Sequence, residues 1–207
     1  METAGLVYEQ ALNAQGYAQI GGMDEVGRGP LAGPVVACAV ILPPGLQIAG
    51  VTDSKRLSPK RRALLAEQIK TAAVAYALGW ADAALVDSIN VLQAACFAME
   101  TAVQNLHPPP DALLVDGKLP LKLALPCTYI TRGDAASHSI AAASILAKVA
   151  RDAYMQEQHE AYPQYGFDAH KGYGTAKHVA ALRAHGPCAL HRKTFLTKII
   201  DKEGLFE

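Results

Sequence analysis

The chain has 207 residues, enough for one domain or one domain with a modest appendage. Half of it is apolar (51%) and 18% is charged, which supplies a packed core and excludes wholesale disorder. Lysine plus arginine balances aspartate plus glutamate, 19 against 19, so no basic tail coats nucleic acid indiscriminately, although a local basic surface stays open.

In chain order, AQIGGMDEV (18–26) reads as a strand running into a turn, and PVVACAVIL (34–42) as a buried strand ending at Pro43-Pro44. Ser58-Pro59 is a cap followed by proline at the first helical position, and Leu64, Leu65 and Ile69 give the helix its apolar stripe. Val74, Tyr76, Leu78 and Trp80 alternate with smaller residues, which is strand spacing. From Val86 to Leu106, Ile89, Leu92, Cys96, Met99 and Val103 recur every three or four positions and predict one long amphipathic helix, stopped by His107-Pro108-Pro109-Pro110. ALLVDG (112–117) and CTYITRGD (127–134) read as short strands ending on acids. An alanine-rich helix is predicted over 136–159, a looser stretch over 161–174, and another helix over 175–185. The order is mixed α/β, with helices gathered after the last strand.

No run of about 18 apolar residues occurs, so no membrane span or membrane partner is expected. METAGLVYEQ carries no cationic patch before an apolar core, and a cytoplasmic location is expected. Cys38, Cys96, Cys127 and Cys188 form no C-x-x-C pair and are expected to be reduced, buried thiols. Cys188-x-x-His191 is half of a zinc pattern and finds no second half.

Three predicted strand ends carry acids: Asp24-Glu25, Asp116 and Asp134. A carboxylate where a strand gives way to a turn has its backbone held by the sheet and its side chain aimed into a cleft. Four such groups would repel one another unless cations sat between them, and hard oxygen ligands suit Mg²⁺ or Mn²⁺. Two such ions about 4 Å apart can activate water and stabilise the leaving oxygen of a phosphodiester. The plainer reading makes each acid a turn or cap former: Asp116-Gly117 is a turn dipeptide, and Asp134 could cap the next helix.

Gly27-Arg28-Gly29-Pro30-Leu31-Ala32-Gly33 invites a dinucleotide-binding reading, but that fingerprint needs a helix to follow, and a strand follows. A glycine turn placed after paired acids instead lets backbone approach a ligand closely. DEVGRGPLAGPVVACAVILP (24–43) resembles the signature segment of the ribonuclease HII family. The resemblance continues in order through TDSKRLS (52–58), INVLQA (89–94), VDG (115–117), RGDAASHSIAAASILAKVARD (132–152), HKGYGT (170–175) and HGPCALHRKTF (185–195).

That resemblance implies a ribonuclease H-like mixed sheet flanked by helices, with a catalytic domain over 1–160 and a helical C-terminal extension over 161–207. It implies an endonuclease that cuts the RNA strand of RNA–DNA hybrids and cuts 5′ of ribonucleotides embedded in duplex DNA. Hydrolysis would use two metal ions, Mg²⁺ or Mn²⁺, and leave 3′-hydroxyl and 5′-phosphate ends. The family's metal-binding catalytic acids fall on Asp24, Glu25, Asp116 and Asp134, its ribonucleotide-reading turn on Gly27, Arg28 and Gly29, and its sugar-contacting tyrosine on Tyr173. Ser54 and Lys55 lie in its phosphate-contacting segment. Arg132 stands where the family often has lysine, and 187–190 matches more loosely. Partners are then RNA–DNA hybrid and ribonucleotide-containing duplex DNA, bound by a monomer.

The 2′-hydroxyl, both donor and acceptor, is the chemical handle on ribose, and peptide groups at 27–29 can meet it. A junction resolvase on the same architecture would need no such turn, and a binding module without activity would gain nothing from four acids facing phosphates. Arg61 and Arg62 read as a solvated helix face, and the same plain reading attaches to Lys171, Lys177, Arg183, Arg192 and Lys193. Lys148 fits either phosphate neutralisation or a helix-surface pair. His138 and His170 lie near the motifs with no assigned role. The terminal GLFE (204–207) lacks the anchors of a sliding-clamp peptide and reads as a frayed end.

Overall fold

The computed structural model describes residues 3–200, with side chains through residue 197. GLFE lies outside the described residues. Helix α1 (Val7–Asn13) leads into the antiparallel pair β1 (Ile20–Val26) and β2 (Val35–Ile41). Then come α2 (Pro59–Ala72), β3 (Ala75–Ala81), α3 (Ala83–Gln104), β4 (Ala112–Asp116) and β5 (Cys127–Ile130). The chain continues through α4 (Gly133–Ala136), α5 (His138–Ala161), α6 (Phe167–His170), α7 (Ala176–His185) and α8 (Lys193–Ile200). The five strands form one mixed sheet in the order β3-β2-β1-β4-β5, antiparallel across β3-β2-β1 and parallel across β1-β4-β5.

Every residue of β2 is buried, because helices cover both of its faces. Val35, Ala37, Ala39 and Ile41 pack with Ala94, Ala98, Met99 and Ala102 of α3. Cys38 and Val40 point the other way, into Leu65, Ala66 and Ile69 of α2 and Ala142, Ile145 and Leu146 of α5. A strand buried on both faces reads as a continuous apolar run, which is why PVVACAVIL stood out. The small residues of α5 let it lie close on β1: a Cβ added at Gly22 would sit 2.1 Å from the Ser139 carbonyl carbon.

The predicted long helix is two helices. Asn90 sits at φ 67°, ψ 163°, and its Oδ1 accepts from the amides of Leu92 (3.0 Å) and Gln93 (3.1 Å), capping the second half. By length and composition this element could cross a membrane, yet its apolar stripe is spent on the sheet. The alanine-rich helix starts later than expected, at the Ser137 cap, after the separate turn α4. Asp134 is therefore not a strand-end residue: β5 stops at Ile130, and Arg132 in the left-handed region turns the chain into α4, which carries the acid. Asp134 does not cap α5, since Ser137 does.

Residues 162–196 pack back on the sheet domain through Leu31, Ala32 and Met155, which join Tyr165, Phe167, Leu182 and Leu196 in one apolar cluster.

Candidate active site

Met23 and Val115 are register partners in the parallel pair β1–β4, so the residues that follow lie on neighbouring strands, Asp116 as the last residue of β4 and Asp24 still within β1, paired with Cys38 of β2. Asp24 is buried, and its carboxyl is held well above the usual range, first by burial and then by the charges of Glu25 and Asp116. A Ser144 hydrogen bond and the Glu25 amide, 2.8 Å from Asp24 Oδ1, oppose that rise without cancelling it. Burial also raises Glu25, against the pull of Arg28, whose Nη1 donates to Glu25 Oε1 at 3.2 Å. The other oxygen, Glu25 Oε2, is buried without a hydrogen-bond partner.

Asp116 Oδ1 accepts from the Gly133 amide at 2.6 Å, tying β4 to the turn that carries Asp134. Asp134 is raised by burial and by the charges of Asp53 and Asp116, against Lys55, whose Nζ lies 3.9 Å from Asp134 Oδ2. Burial pulls the Lys55 ammonium down, and Asp134, Asp24, Asp53 and Asp116 together outweigh it and raise it. All four expected acids thus fall within one electrostatic neighbourhood. Asp53 joins them unforeseen: it caps the 3₁₀ turn at 54–56, accepting from the Lys55 amide at 2.9 Å. Among the described residues no three His, Cys, Asp or Glu side chains form a closed metal cage. Hard oxygens from four neighbouring acids, one of them buried and unpartnered, and three groups pushed towards protonation fit a cation that keeps waters and shares phosphate ligands.

The glycine turn is gripped from beneath. Arg192, fully buried, donates from Nε and Nη2 to Gly33 O (3.1 and 2.7 Å), from Nη1 to Arg28 O (3.0 Å) and Pro30 O (2.9 Å), and from Nη2 to Gly27 O (2.6 Å). Arg151, equally buried, donates to the carbonyls of Pro34 (2.9 Å), Ala32 (3.1 Å) and Lys171 (2.9 Å). Burial and the charge of Arg151 lower Arg192 to about 10, so it stays cationic at neutral pH. Gly27 has φ 97°, and a Cβ there would sit 2.5 Å from Arg151 Nε and Pro34 O. Only glycine fits. In a planar trans peptide the N–H points opposite its C=O. With the carbonyls of Gly27 and Arg28 drawn inward to Arg192, the amides of Arg28 and Gly29 face outward.

Neither buried arginine was foreseen, and the plain solvated-face reading fails for Arg192. Arg62, expected on a solvated face, is a correction: it is buried, donating to Ser54 O at 2.9 Å and Leu57 O at 2.5 Å, and lies 3.7 Å from Asp152. The partners of Arg151 and Arg192 lie 20 to 165 residues away in the chain, so local spacing gives no signal there. Ser54 is buried, its hydroxyl 2.9 Å from that of Ser144, whereas the Lys55 side chain is 81% exposed. Lys148 pairs with Asp152 at 2.7 Å, the helix-surface alternative.

Tyr173 lies beside the turn: a Cβ at Gly29 would be 3.8 Å from its Cε1, and the residue is 42% exposed. The loop carrying it is pinned where Leu31 and Ala32 donate to Gly172 O at 2.9 and 3.3 Å. His170 holds that loop through Tyr165 O (2.7 Å) and the Gly172 amide (3.2 Å), while His138 is buried and accepts from the Ile48 amide at 2.9 Å. Cys188 and His191 do meet, but the His191 ring nitrogens are occupied by the Cys188 amide (3.0 Å) and His178 (3.0 Å). Cys38 and Cys96 are buried, Cys127 and Cys188 half-buried, and all four are free thiols.

The family model "Ribonuclease HII" matches residues 21–198. A ribonuclease HII of Geotalea uraniireducens is 54% identical over 190 residues, 92% of this chain and 88% of that protein. The ribonuclease H2 of Pyrococcus horikoshii OT3 superposes with a TM-score of 0.72 at 26% identity, covering 89% of this chain and 98% of that one. Bst-RNase HIII, solved in complex with Mn²⁺, shares the fold with a TM-score of 0.67 at 21% identity, covering 87% of this chain and 68% of that one.

Proposed function

The chain belongs to the ribonuclease HII family, and from that premise we propose that the acidic sheet edge and the gripped turn beside it form one active site. The protein is a metal-dependent endoribonuclease that cleaves RNA in RNA–DNA hybrids and at ribonucleotides embedded in DNA. Asp24, Glu25, Asp116 and Asp134 would hold Mg²⁺ or Mn²⁺. When bound, two such ions supply an activated water and charge neutralisation on the phosphodiester, giving 3′-hydroxyl and 5′-phosphate ends.

The outward amides of Arg28 and Gly29 donate to the ribose 2′-hydroxyl, at the position fixed by Arg192 under the turn. Tyr173 packs its exposed ring on the neighbouring sugar, favouring a deoxyribose and setting the cut 5′ of a lone ribonucleotide. Lys55 reaches out to a backbone phosphate, and the buried Ser54 fixes the turn that aims it. Residues 1–160 act as the catalytic domain and 161–207 as an extension that carries Tyr173 and Arg192 to it. The working form is a cytoplasmic monomer.

The observation that carries this reading is the 3.2 Å contact between Arg28 and Glu25, which joins the ribose-reading turn to the acidic edge. The test is cleavage of a labelled duplex containing one ribonucleotide. We expect a cut on its 5′ side only when Mg²⁺ or Mn²⁺ is added, and none in the all-DNA control. Cleavage in a chelator, or of the all-DNA duplex, would refute it.

A further inference from the structure

His178 and His191 are both buried, and their partners dictate where each proton sits. The Cys188 amide donates to His191 Nδ1 at 3.0 Å, so that nitrogen is bare and the ring proton is on Nε2. His191 Nε2 lies 3.0 Å from His178 Nε2, a contact that needs one donor and one acceptor, so His191 donates. His178 must then carry its proton on Nδ1, which lies 2.9 Å from the Tyr173 carbonyl oxygen, an acceptor only. One arrangement satisfies all three contacts, and both rings must be neutral in it. A proton added to His191 would set Nδ1–H against the Cys188 amide, and one added to His178 would set N–H against N–H.

The surroundings keep the pair neutral. His170 of α6 stacks on His178 with centroids 4.4 Å apart, Phe167 meets both rings edge-on or tilted, and Tyr165 meets His191 at 4.8 Å. The Cys188 sulfur lies 3.2 Å from His191 Nδ1 as a thiol raised by burial. None of these neighbours is an anion at neutral pH. Burial, then the charge of His178, lowers His191 to about 4, and burial lowers His178 as well.

The far end of the pair is anchored under the turn. His191 bridges to Ala32, the Arg192 amide donates to Leu31 O at 2.9 Å, and the Arg192 guanidinium holds the carbonyls of Gly27 and Arg28. The contacts therefore run without a break from the ribose-reading turn, through 190–192 and the two imidazoles, to the backbone of Tyr173. We infer that the neutral His178–His191 pair is a positioning element that sets the Tyr173 ring relative to the Gly27–Gly29 turn. It acts through Tyr173 and touches no substrate, and it rests on the reading of Tyr173 as the sugar-packing residue.

The experiment is single-turnover cleavage of a duplex with one embedded ribonucleotide by wild type, His191→Phe, His191→Gln, Tyr173→Ala and the His191→Phe/Tyr173→Ala double variant. Loss of one hydrogen-bonded link predicts about a tenfold slower cut for His191→Phe. His191→Gln, whose amide can donate to His178 and cannot titrate, should stay within about threefold of wild type. In the Tyr173→Ala background, His191→Phe should cost less than about twofold, because the residue it positions is gone. Equal losses in both backgrounds, or a glutamine no better than phenylalanine, overturn the pair's role and leave Tyr173 intact. A Tyr173→Ala variant as fast as wild type overturns the tyrosine reading, and the proposal with it. Should the variants fold poorly, ¹⁵N NMR of the wild-type imidazoles still decides: protons on His191 Nε2 and His178 Nδ1 at neutral pH are expected, and the opposite tautomers or an imidazolium would overturn the assignment.

Discussion

At the sheet edge, Asp24, Glu25 and Asp134 are each pushed towards protonation, and one oxygen of Glu25 is buried with nothing to bond. Beneath the neighbouring turn, Arg192 is buried as well, yet its Nε, Nη1 and Nη2 atoms all point at carbonyls of the turn. Both are charges taken out of water, which is costly unless partners replace the water. The turn region has its partners within the chain. The acidic region is only partly partnered, by Arg28, Lys55 and a few hydrogen bonds, and three of its carboxyls stay pushed towards protonation, a demand for more positive charge. On the proposed reading, the difference separates a turn held ready for ribose from a set of acids whose repulsion a cation would relieve.

The largest effect should come from damaging the acidic region. Asp116→Asn should slow cleavage about a hundred- to a thousandfold or more, measured at saturating Mg²⁺ on the single-ribonucleotide duplex. Full activity would remove the acids from the chemistry.

Damaging the gripped turn should instead appear as lost stability. Arg192→Met strands the carbonyls of Gly27, Arg28, Pro30 and Gly33, and denaturant unfolding should show a loss of about 3–5 kcal/mol. A loss below about 0.5 kcal/mol would mean that water replaces the guanidinium and that the turn is not held by it.

The two regions should also respond to acid with opposite sign. His191 has its folded pKa lowered to about 4, so between its unfolded value near 6.5 and about 4 the unfolded chain binds the extra proton and stability is lost as pH falls. The acids have folded values above their unfolded ones, so in metal-free protein the folded state takes the extra proton, and their contribution rises as pH falls. In His191→Gln the acid-side loss should shrink by about 1–3 kcal/mol in melts taken from neutral pH to about pH 4.5. An unchanged pH profile would show that His191 does not titrate abnormally.

Much of this contrast could not be read from sequence. PVVACAVIL and VDG were legible because a doubly covered strand is a continuous apolar run and an acid-glycine step ends one. Asp134 was assigned with the acids although its strand had ended at Ile130, since CTYITRGD imitates a strand-end pattern. The break at Asn90 was hidden because the apolar spacing carries straight across it. Arg151, Arg192 and the His178–His191 pair were not legible: the arginines' partners lie 20 to 165 residues away, the two histidines meet across 13, and a basic residue looks the same whether solvated or caged. The resemblance supplied Gly27, Arg28, Gly29 and Tyr173, and the structure supplies the reason they stand together.

The smallest expected effect is at Lys55, the exposed cation beside the acids. Lys55→Ala should flatten the dependence of binding on salt by about one phosphate contact, or about 0.9 log unit per log unit of salt, without moving the cut. An unchanged slope would show that it touches no phosphate.

The contrast between the regions is tested most directly by thermal unfolding of wild type and Asp116→Asn, each with and without Mn²⁺. Without the ion the variant should melt no lower than wild type, because removing a charge relieves repulsion. With saturating Mn²⁺ the wild-type Tm should rise and the variant's should scarcely move. A variant that melts lower without Mn²⁺ and gains as much as wild type with it would contradict an acidic edge held together for a cation.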